Sequence, residues 1–317
     1  MTQSLRQSWL VLVATLFPRG GSERLLAIFV SASLPAALFA AWHAGGAWSV
    51  SGAASDWRQE WFSLGAGLRQ LLPMLGVALI TAFAWERLFA ISRRRAPDAG
   101  WLMAAWLFVL LLPPVTPLWL VALGMSFGAL FGAHVFGGTG CYVASPAVVG
   151  AIFLHFSYPS ILADSPPWIS IAESVASNAP GVLAYVFFLT CAAGAFTLVA
   201  SGAASARTLL GALFALLPAV FFSDMLIAAE HVAAGSFAFC WAFLLTDPTT
   251  QALTRAARWL HGVVFTLLVV LIRTADPAGP DGVLFAVLLA GLLVPLLDYV
   301  VLSIQRSRRG TTLELRR

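Results

Sequence analysis

The stretch from Pro117 to Pro159 reads PLWLVALGMSFGALFGAHVFGGTGCYVASPAVVGAIFLHFSYP, and it indicates the fold class. Its apolar run from Leu118 to Phe136 is long enough to cross a bilayer, which takes about 20 apolar residues. The glycine turn, Gly137-Gly138-Thr139-Gly140, then separates this run from a short apolar segment that opens at Pro146. Because backbone breaks at membrane depth need protein around them, this pattern predicts an all-α polytopic membrane protein.

The composition of the whole chain supports a membrane protein. Apolar residues are 60% of the 317 residues and charged residues only 10%, whereas soluble domains carry about 25% charged residues. No Walker loop, GxGxxG motif, Ser-His-Asp arrangement or metal-ligand spacing occurs in the sequence. We therefore predict no catalytic residue, no metal site and no nucleic-acid partner, with the lipid bilayer as the main solvent.

About ten apolar segments, several of them broken, are predicted along the chain. The full-length ones run from 25 to 44, 68 to 91, 118 to 136, 182 to 201, 208 to 227, 259 to 272 and 283 to 304, and the short ones from 101 to 112, 146 to 156 and 232 to 245. We therefore expect a cytoplasmic N-terminal segment (1–24), one transmembrane domain (25–304) and a basic cytoplasmic tail (305–317).

Arginine clusters predict the orientation of these segments. Arg93, Arg94 and Arg95 follow the second segment, and further arginines precede the first and follow the last. With an even number of crossings, the positive-inside rule puts these clusters and both termini in the cytoplasm of a bacterial inner membrane, with residues 157–181 outside. Arg273 is expected at an outer helix end, where its side chain could extend toward water.

The two halves of the chain, about 25–160 and 182–304, are weakly similar. Residues 110–114 read LLLPP and residues 244–248 read LLTDP, and each ends a short apolar segment ahead of a longer one. Corresponding interrupted segments point to a central site in a repeat-built membrane protein. Chance is the alternative, but we predict two structural repeats whose glycine turn and Thr246–Pro248 turn border one central region.

The glycine turn is the first candidate binding site. Three glycines in four residues allow positive φ and close approach of a ligand. The N–H groups at the start of the next helix could receive a flavin phosphate or carbonyl, so Gly137, Gly138, Thr139 and Gly140 are candidate flavin-binding residues. Tight helix packing is the alternative interpretation of the same glycines.

Thr246 and Asp247 form the second candidate site, an ion path. A carboxylate at the end of a buried half-helix is costly, which marks it as a functional candidate. Its oxygens could bind a hard cation such as Na⁺ beside unwound carbonyls. Alternatively, Asp247 caps the following helix. Asp298 and the histidines at depth are expected to be hydrogen-bonded packing residues.

These motifs resemble the NqrB/RnfD family, the B subunit of Na⁺-translocating NADH:quinone oxidoreductase and the D subunit of the Rnf complex. The PLW, ALG, SFG and FGGTG blocks lie between Pro117 and Pro159, and the TDP block is Thr246-Asp247-Pro248. The resemblance implies a ten-helix, urea-channel-like repeat fold that passes electrons through flavin while Na⁺ or H⁺ crosses the membrane. It also implies partner membrane, flavoprotein and iron–sulfur subunits, and quinone.

The sequence departs from this family at several positions. The family's SGAT motif, whose threonine carries covalent FMN, is absent from residues 160–181, and no threonine occurs from Pro159 to Leu189. Ser145 and Gly291 stand where the family pattern has asparagine. We therefore expect the flavin, FMN or riboflavin, to bind non-covalently. The alternative is a non-redox paralogue that transports a small solute or ion, or anchors a redox partner in the membrane.

The missing threonine gives a first testable prediction. A phosphoester-linked flavin survives denaturation in SDS, whereas a non-covalent flavin is released. The purified chain should therefore show no flavin fluorescence in a denaturing gel. A fluorescent band whose label maps to Ser170 or Ser174 would instead reveal a serine anchor.

Overall fold

The computed structural model describes residues 21–48, 57–138, 141–162, 167–169, 182–222, 236–275 and 282–314. Every secondary-structure element within these ranges is a helix, which confirms the all-α prediction. In chain order they are α1 (Gly21–Trp48), α2 (Trp57–Ser92), α3 (Gly100–Leu110), α4 (Leu118–Phe127), the π-helix π1 (Gly128–His134), α5 (Pro146–Ser157), α6 (Pro159–Leu162), α7 (Val182–Ala200), α8 (Ala206–Phe222), α9 (Ser236–Phe239), the π-helix π2 (Cys240–Leu244), α10 (Arg255–Ala275) and α11 (Gly282–Glu314).

Four helical stretches among the described residues are long and apolar enough to cross a membrane. They are Arg24–Gly46, Trp61–Ser92, Arg255–Ala275 and Gly282–Ser307. Shorter apolar helices accompany them, at Gly100–Leu110, Leu118–His134, Pro146–Ser157, Tyr185–Ala200 and Ala206–Leu217. The chain is thus an integral membrane protein, while about ten crossings and a urea-channel-like repeat stay predictions.

Both turns singled out in the sequence follow a π-helix. Helix α4 continues as π1 and leads into the glycine turn, and α9 continues as π2 and leads into Thr246 and Asp247. The π-helix is rare and occurs frequently at functional sites. The same succession of α-helix, π-helix, turn and new helix in each half relates these two turns to each other. The LLLPP stretch differs, because α3 ends there without a π-helix.

Glycines let helices pack with their backbones in contact. A Cβ on Gly128 of π1 would collide with the carbonyl oxygen of Pro146 at the start of α5. In the second half, a Cβ on Gly262 of α10 would collide with the carbonyl oxygen of Thr208 on α8. Lipid tails are as apolar as the side chains, so close van der Waals packing of small residues is a main source of attraction between membrane helices.

The expected position of the Arg273 side chain is wrong. Arg273 is buried, and its Nη2 donates a hydrogen bond of 3.2 Å to Oγ of Ser236 at the start of α9. The guanidinium therefore binds a hydroxyl inside the protein and does not extend toward water. It fastens the end of α10 to the short helix that precedes π2.

The close contact of α8 and α10 can be tested with Gly262→Ala. The added Cβ would meet backbone atoms of Thr208 and Ala212, so the helices must separate, at a cost of about 1–3 kcal/mol. We expect a lower melting temperature in detergent. Gly76→Ala in α2 is the matched control, because its Cβ meets nothing within 4 Å and alanine favours a helix by about 1 kcal/mol. Equal melting temperatures for the two variants would contradict this packing.

Candidate functional site

The glycine turn has the backbone conformation that its glycines were expected to permit. Gly137 has φ +123° and Gly138 has φ +99°, a region that residues with a Cβ rarely adopt. The N–H of Gly138 donates to the carbonyl oxygen of Ala133 in π1 at 3.0 Å, which closes the turn. Thr139 and Gly140 lie outside the described residues.

The guanidinium of Arg95 fills the space beside Gly138. A Cβ on Gly138 would lie 2.5 Å from Nη2 and 2.8 Å from Cζ of Arg95. Nη2 of Arg95 also forms an ion pair of 3.1 Å with Oε1 of Glu86, a carboxylate that is only 2% exposed. The same oxygen accepts a hydrogen bond from the backbone N–H of Asp98 at 3.1 Å. At Gly138 the turn is therefore packed against the side chain of Arg95.

His134, the last residue of π1, joins the same cluster. Its ring stacks on Phe89 with a centroid distance of 4.4 Å, and its Nε2 lies 3.9 Å from Oε2 of Glu86. Its carbonyl oxygen accepts a hydrogen bond of 2.5 Å from Nη2 of Arg93. The end of α2 thus holds the end of π1 through both charge and ring stacking. Glu86 was missed as a site residue, because one acidic residue in an apolar run gives no sign of its partners.

The second turn is closed by the side chain of Asp247. Asp247 is 3% exposed, and its Oδ1 accepts hydrogen bonds from the N–H of Thr249 at 2.9 Å and from the hydroxyl of Thr249 at 2.6 Å. The hydroxyl of Thr246 donates to the carbonyl oxygen of Ala242 in π2 at 2.6 Å. Among the described residues, no arginine or lysine forms an ion pair with Asp247.

The interpretation of Asp247 as the cap of the following helix is wrong. Helix α10 begins at Arg255, and the hydroxyl of Thr254 caps it by accepting from the N–H of Ala257 at 3.2 Å. Asp298 on α11 supports the same end, because its two oxygens accept from the N–H groups of Leu253 at 2.8 Å and Thr254 at 2.9 Å. Asp298 is therefore a hydrogen-bonded packing residue, as expected.

A narrow cavity lies between the segments that follow the two turns. Its walls include Ala144 and Ser145 before α5, Leu245 and Thr250 around the second turn, His261 on α10 and Gly291 on α11. It has room for about one water molecule. The structure therefore brings residues next to both turns together, although Gly137, Gly138 and Asp247 themselves do not line this cavity.

Neither the cavity nor the described part of the glycine turn fits the flavin that the resemblance implies. The three fused rings of an isoalloxazine are far larger than one water molecule, and Arg95 fills the space beside Gly138. Assignment of flavin to Gly137, Gly138, Thr139 and Gly140 therefore stays a prediction from the sequence. Within the part of the chain that the structure describes, no group of three or more His, Cys, Asp or Glu residues could hold a metal ion.

Comparisons with known proteins extend the similarity beyond these motifs. The sequence model of the NQR2, RnfD, RnfE family matches residues 20–305. The chain is 31% identical to the B subunit of the Na(+)-translocating NADH-quinone reductase from Ectopseudomonas mendocina, over 78% of this chain and 71% of that protein. It is 29% identical to the corresponding protein from Azotobacter vinelandii, over 90% of this chain and 86% of that protein. The similarity therefore extends from α1 into α11, as far as residue 305, rather than over single blocks.

The contact between Arg95 and Gly138 can be tested with Gly138→Ala. Positive φ alone should cost about 1–3 kcal/mol, and displacement of Arg95 from Glu86 should add to that cost. Gly202→Ala is the matched control, since Gly202 also has a positive φ, +79°, but has open space where its Cβ would lie.

We expect Gly138→Ala to lower the free energy of unfolding in detergent more than Gly202→Ala does. The excess should shrink when Gly138→Ala is combined with Arg95→Ala, because no guanidinium then remains to collide with the methyl group. The same loss in both single variants would show that Arg95 does not pack on the turn.

Proposed function

This chain belongs to the NQR2, RnfD, RnfE family, and on that basis we propose that it is a membrane subunit of a redox-driven, ion-translocating complex like Na⁺-translocating NADH-quinone reductase or Rnf. The observation that carries the proposal is the family match over residues 20–305, which spans all the apolar helices up to α11. The chain has no dinucleotide-binding motif of its own, so partner flavoprotein and iron–sulfur subunits oxidise NADH and deliver electrons toward quinone. The subunit lies in the bacterial inner membrane with both termini in the cytoplasm.

The ion path of this subunit runs past Thr246 and Asp247. A buried carboxylate is unfavourable without a counter-charge, and no described arginine or lysine supplies one to Asp247. A translocated cation can supply that charge while the threonine hydroxyls and the carbonyls of the turn provide further oxygen atoms. The neighbouring cavity, lined by Ser145 and Thr250, lies between the segments that follow the two turns and extends the polar centre.

Any flavin of the subunit is held non-covalently and outside this polar centre. Residues 159–189 offer no threonine for a phosphoester, and the cavity is too small for an isoalloxazine. FMN or riboflavin would therefore bind at other residues or against a partner subunit.

The missing threonine and the small cavity also favour a second candidate. This candidate is a paralogue that conducts an ion or anchors a redox partner without a flavin of its own. The visible absorption spectrum of the purified chain separates the two candidates, because bound flavin absorbs visible light and tryptophan does not. A colourless chain that still assembles with its partners would favour the second candidate.

Asp247→Asn tests the ion path. Asparagine keeps the shape of the side chain and still accepts the hydrogen bonds from Thr249, so the turn should fold normally. The carboxylate charge is lost, and a cation in the path loses its counter-charge. In proteoliposomes that contain the assembled complex, we expect redox-driven cation uptake to fall by about tenfold, equivalent to about 1.4 kcal/mol.

Asp98→Asn provides the control, because Asp98 binds only the N–H of Ala99 through its side chain and lies away from the cavity. It should leave uptake unchanged. Wild-type rates of both Na⁺ and H⁺ uptake in Asp247→Asn would remove Asp247 from the ion path and leave it as a closure of its own turn.

A further inference from the structure

His261 brings a polar atom without a partner into the cavity between the segments that follow the two turns. Its side chain lines this cavity and is 2% exposed. Its Nδ1 has no hydrogen-bond partner among the described residues. Native proteins pair the large majority of their buried polar groups with protein or with ordered water, because an unpaired buried group loses the hydrogen bonds that it makes in solvent. A molecule bound in the cavity accounts for this nitrogen.

Two hydroxyl groups belong to the same cavity. Ser145 precedes α5 and is buried, and its side chain makes no capping hydrogen bond to that helix. Thr250 lies beside the second turn and also lines the cavity. With the His261 ring, these hydroxyls provide three hydrogen-bonding groups from three separate segments of the chain. Three is the usual number of partners around a buried water molecule.

The size and the charge of the cavity favour a water molecule over other ligands. The space has room for about one water molecule. The residues that line it include no Asp, Glu, Arg or Lys, so neither a bare cation nor an anion finds a counter-charge there. An apolar ligand would leave the polar groups unpaired. Water both donates and accepts, so it pairs with Nδ1 of His261 in either tautomer of the ring.

We propose that one water molecule is bound between Nδ1 of His261 and the hydroxyls of Ser145 and Thr250. It joins α10 and the second turn to the start of α5. The N–H of Thr250 donates to the carbonyl oxygen of Asp247 at 3.2 Å, so a water molecule that holds Thr250 also holds the turn that carries Asp247. The water site thereby positions the ion path, and this last step alone rests on the proposed function.

The water molecule can be observed directly. A cryo-EM map of the assembled complex, at a resolution that shows ordered water, should contain one density peak in the cavity. The peak should lie about 2.5–3.2 Å from Nδ1 of His261 and from the hydroxyl oxygens of Ser145 and Thr250. A map that resolves other buried water molecules but shows no peak here overturns the inference.

Substitutions of Gly291 on α11 test the same site through stability. Gly291 lines the cavity, and a Cβ there would lie 3.6 Å from the carbonyl oxygen of Val143, which is an ordinary contact. The methyl group of Gly291→Ala takes the place of the water without replacing its hydrogen bonds, whereas the hydroxyl of Gly291→Ser replaces them. We expect Gly291→Ser to melt in detergent at least about 2 °C above Gly291→Ala.

Gly76→Ser and Gly76→Ala on α2 are the matched controls, because a Cβ on Gly76 meets nothing within 4 Å. There alanine should give the higher melting temperature, since its helix propensity exceeds that of serine. In a dry cavity, Gly291→Ala would fill a void and Gly291→Ser would bury another polar group, so alanine would again be the more stable. A melting temperature of Gly291→Ala equal to or above that of Gly291→Ser therefore overturns the inference.

Cation uptake distinguishes this inference from the proposed function. In proteoliposomes with the assembled complex, Gly291→Ala should raise the Na⁺ concentration for half-maximal redox-driven uptake by at least about twofold, because the second turn is held less firmly. Gly291→Ser should restore it toward the wild-type value. An unchanged half-maximal concentration in Gly291→Ala overturns the positioning role. A wild-type complex that oxidises NADH but moves no cation contradicts the proposed function, and the density peak and the melting temperatures still decide whether water is bound.

Discussion

The rest of this structure depends on one constraint: irregular backbone inside a membrane must find its hydrogen-bond partners within the protein. Lipid offers no partners for N–H and C=O groups, so wherever a helix breaks at membrane depth, other parts of the protein must supply them. Both π-helices end in such a break. After π2, the N–H of Leu245 donates a hydrogen bond of 2.8 Å to the carbonyl oxygen of Cys240. After π1, the N–H of Gly138 donates in the same way to the carbonyl oxygen of Ala133. The carboxylate of Asp298 satisfies the two N–H groups that precede α10.

This constraint explains why charged side chains collect around the breaks. Arg93 donates to the last carbonyl of π1, and Arg95 packs against the turn that follows. In the sequence, the positive-inside rule uses these arginines to predict orientation. In the structure, their contacts bind the glycine turn to the end of α2. Glu86, which is buried, neutralises part of the resulting positive charge through its ion pair with Arg95.

The sequence predicted the parts of this structure that depend on local patterns. Apolar runs located the helices, and closely spaced glycines indicated positive φ at Gly137 and Gly138. The π-helices were not predictable, because no pattern of residue types distinguishes them from the α-helices they continue. The partners of Glu86 and Asp298 were also missed. Asp298 lies 45 residues from Leu253, and only the packing of α11 beside the second turn brings them together.

Two of the positions at which we expect departures from the family pattern line the same cavity. Ser145 and Gly291, where the resemblance to the family leads us to expect asparagine, both line the cavity that also holds the His261 ring. A Cβ on Gly291 would already lie 3.6 Å from the carbonyl oxygen of Val143, so a full asparagine side chain would project into a space with room for about one water molecule. Glycine keeps that space open. A hydroxyl and a hydrogen atom, where the resemblance predicts two amides, therefore lie around the His261 Nδ1, which has no hydrogen-bond partner among the described residues. The cavity is suited to a water molecule rather than to a larger ligand with several carbonyl groups.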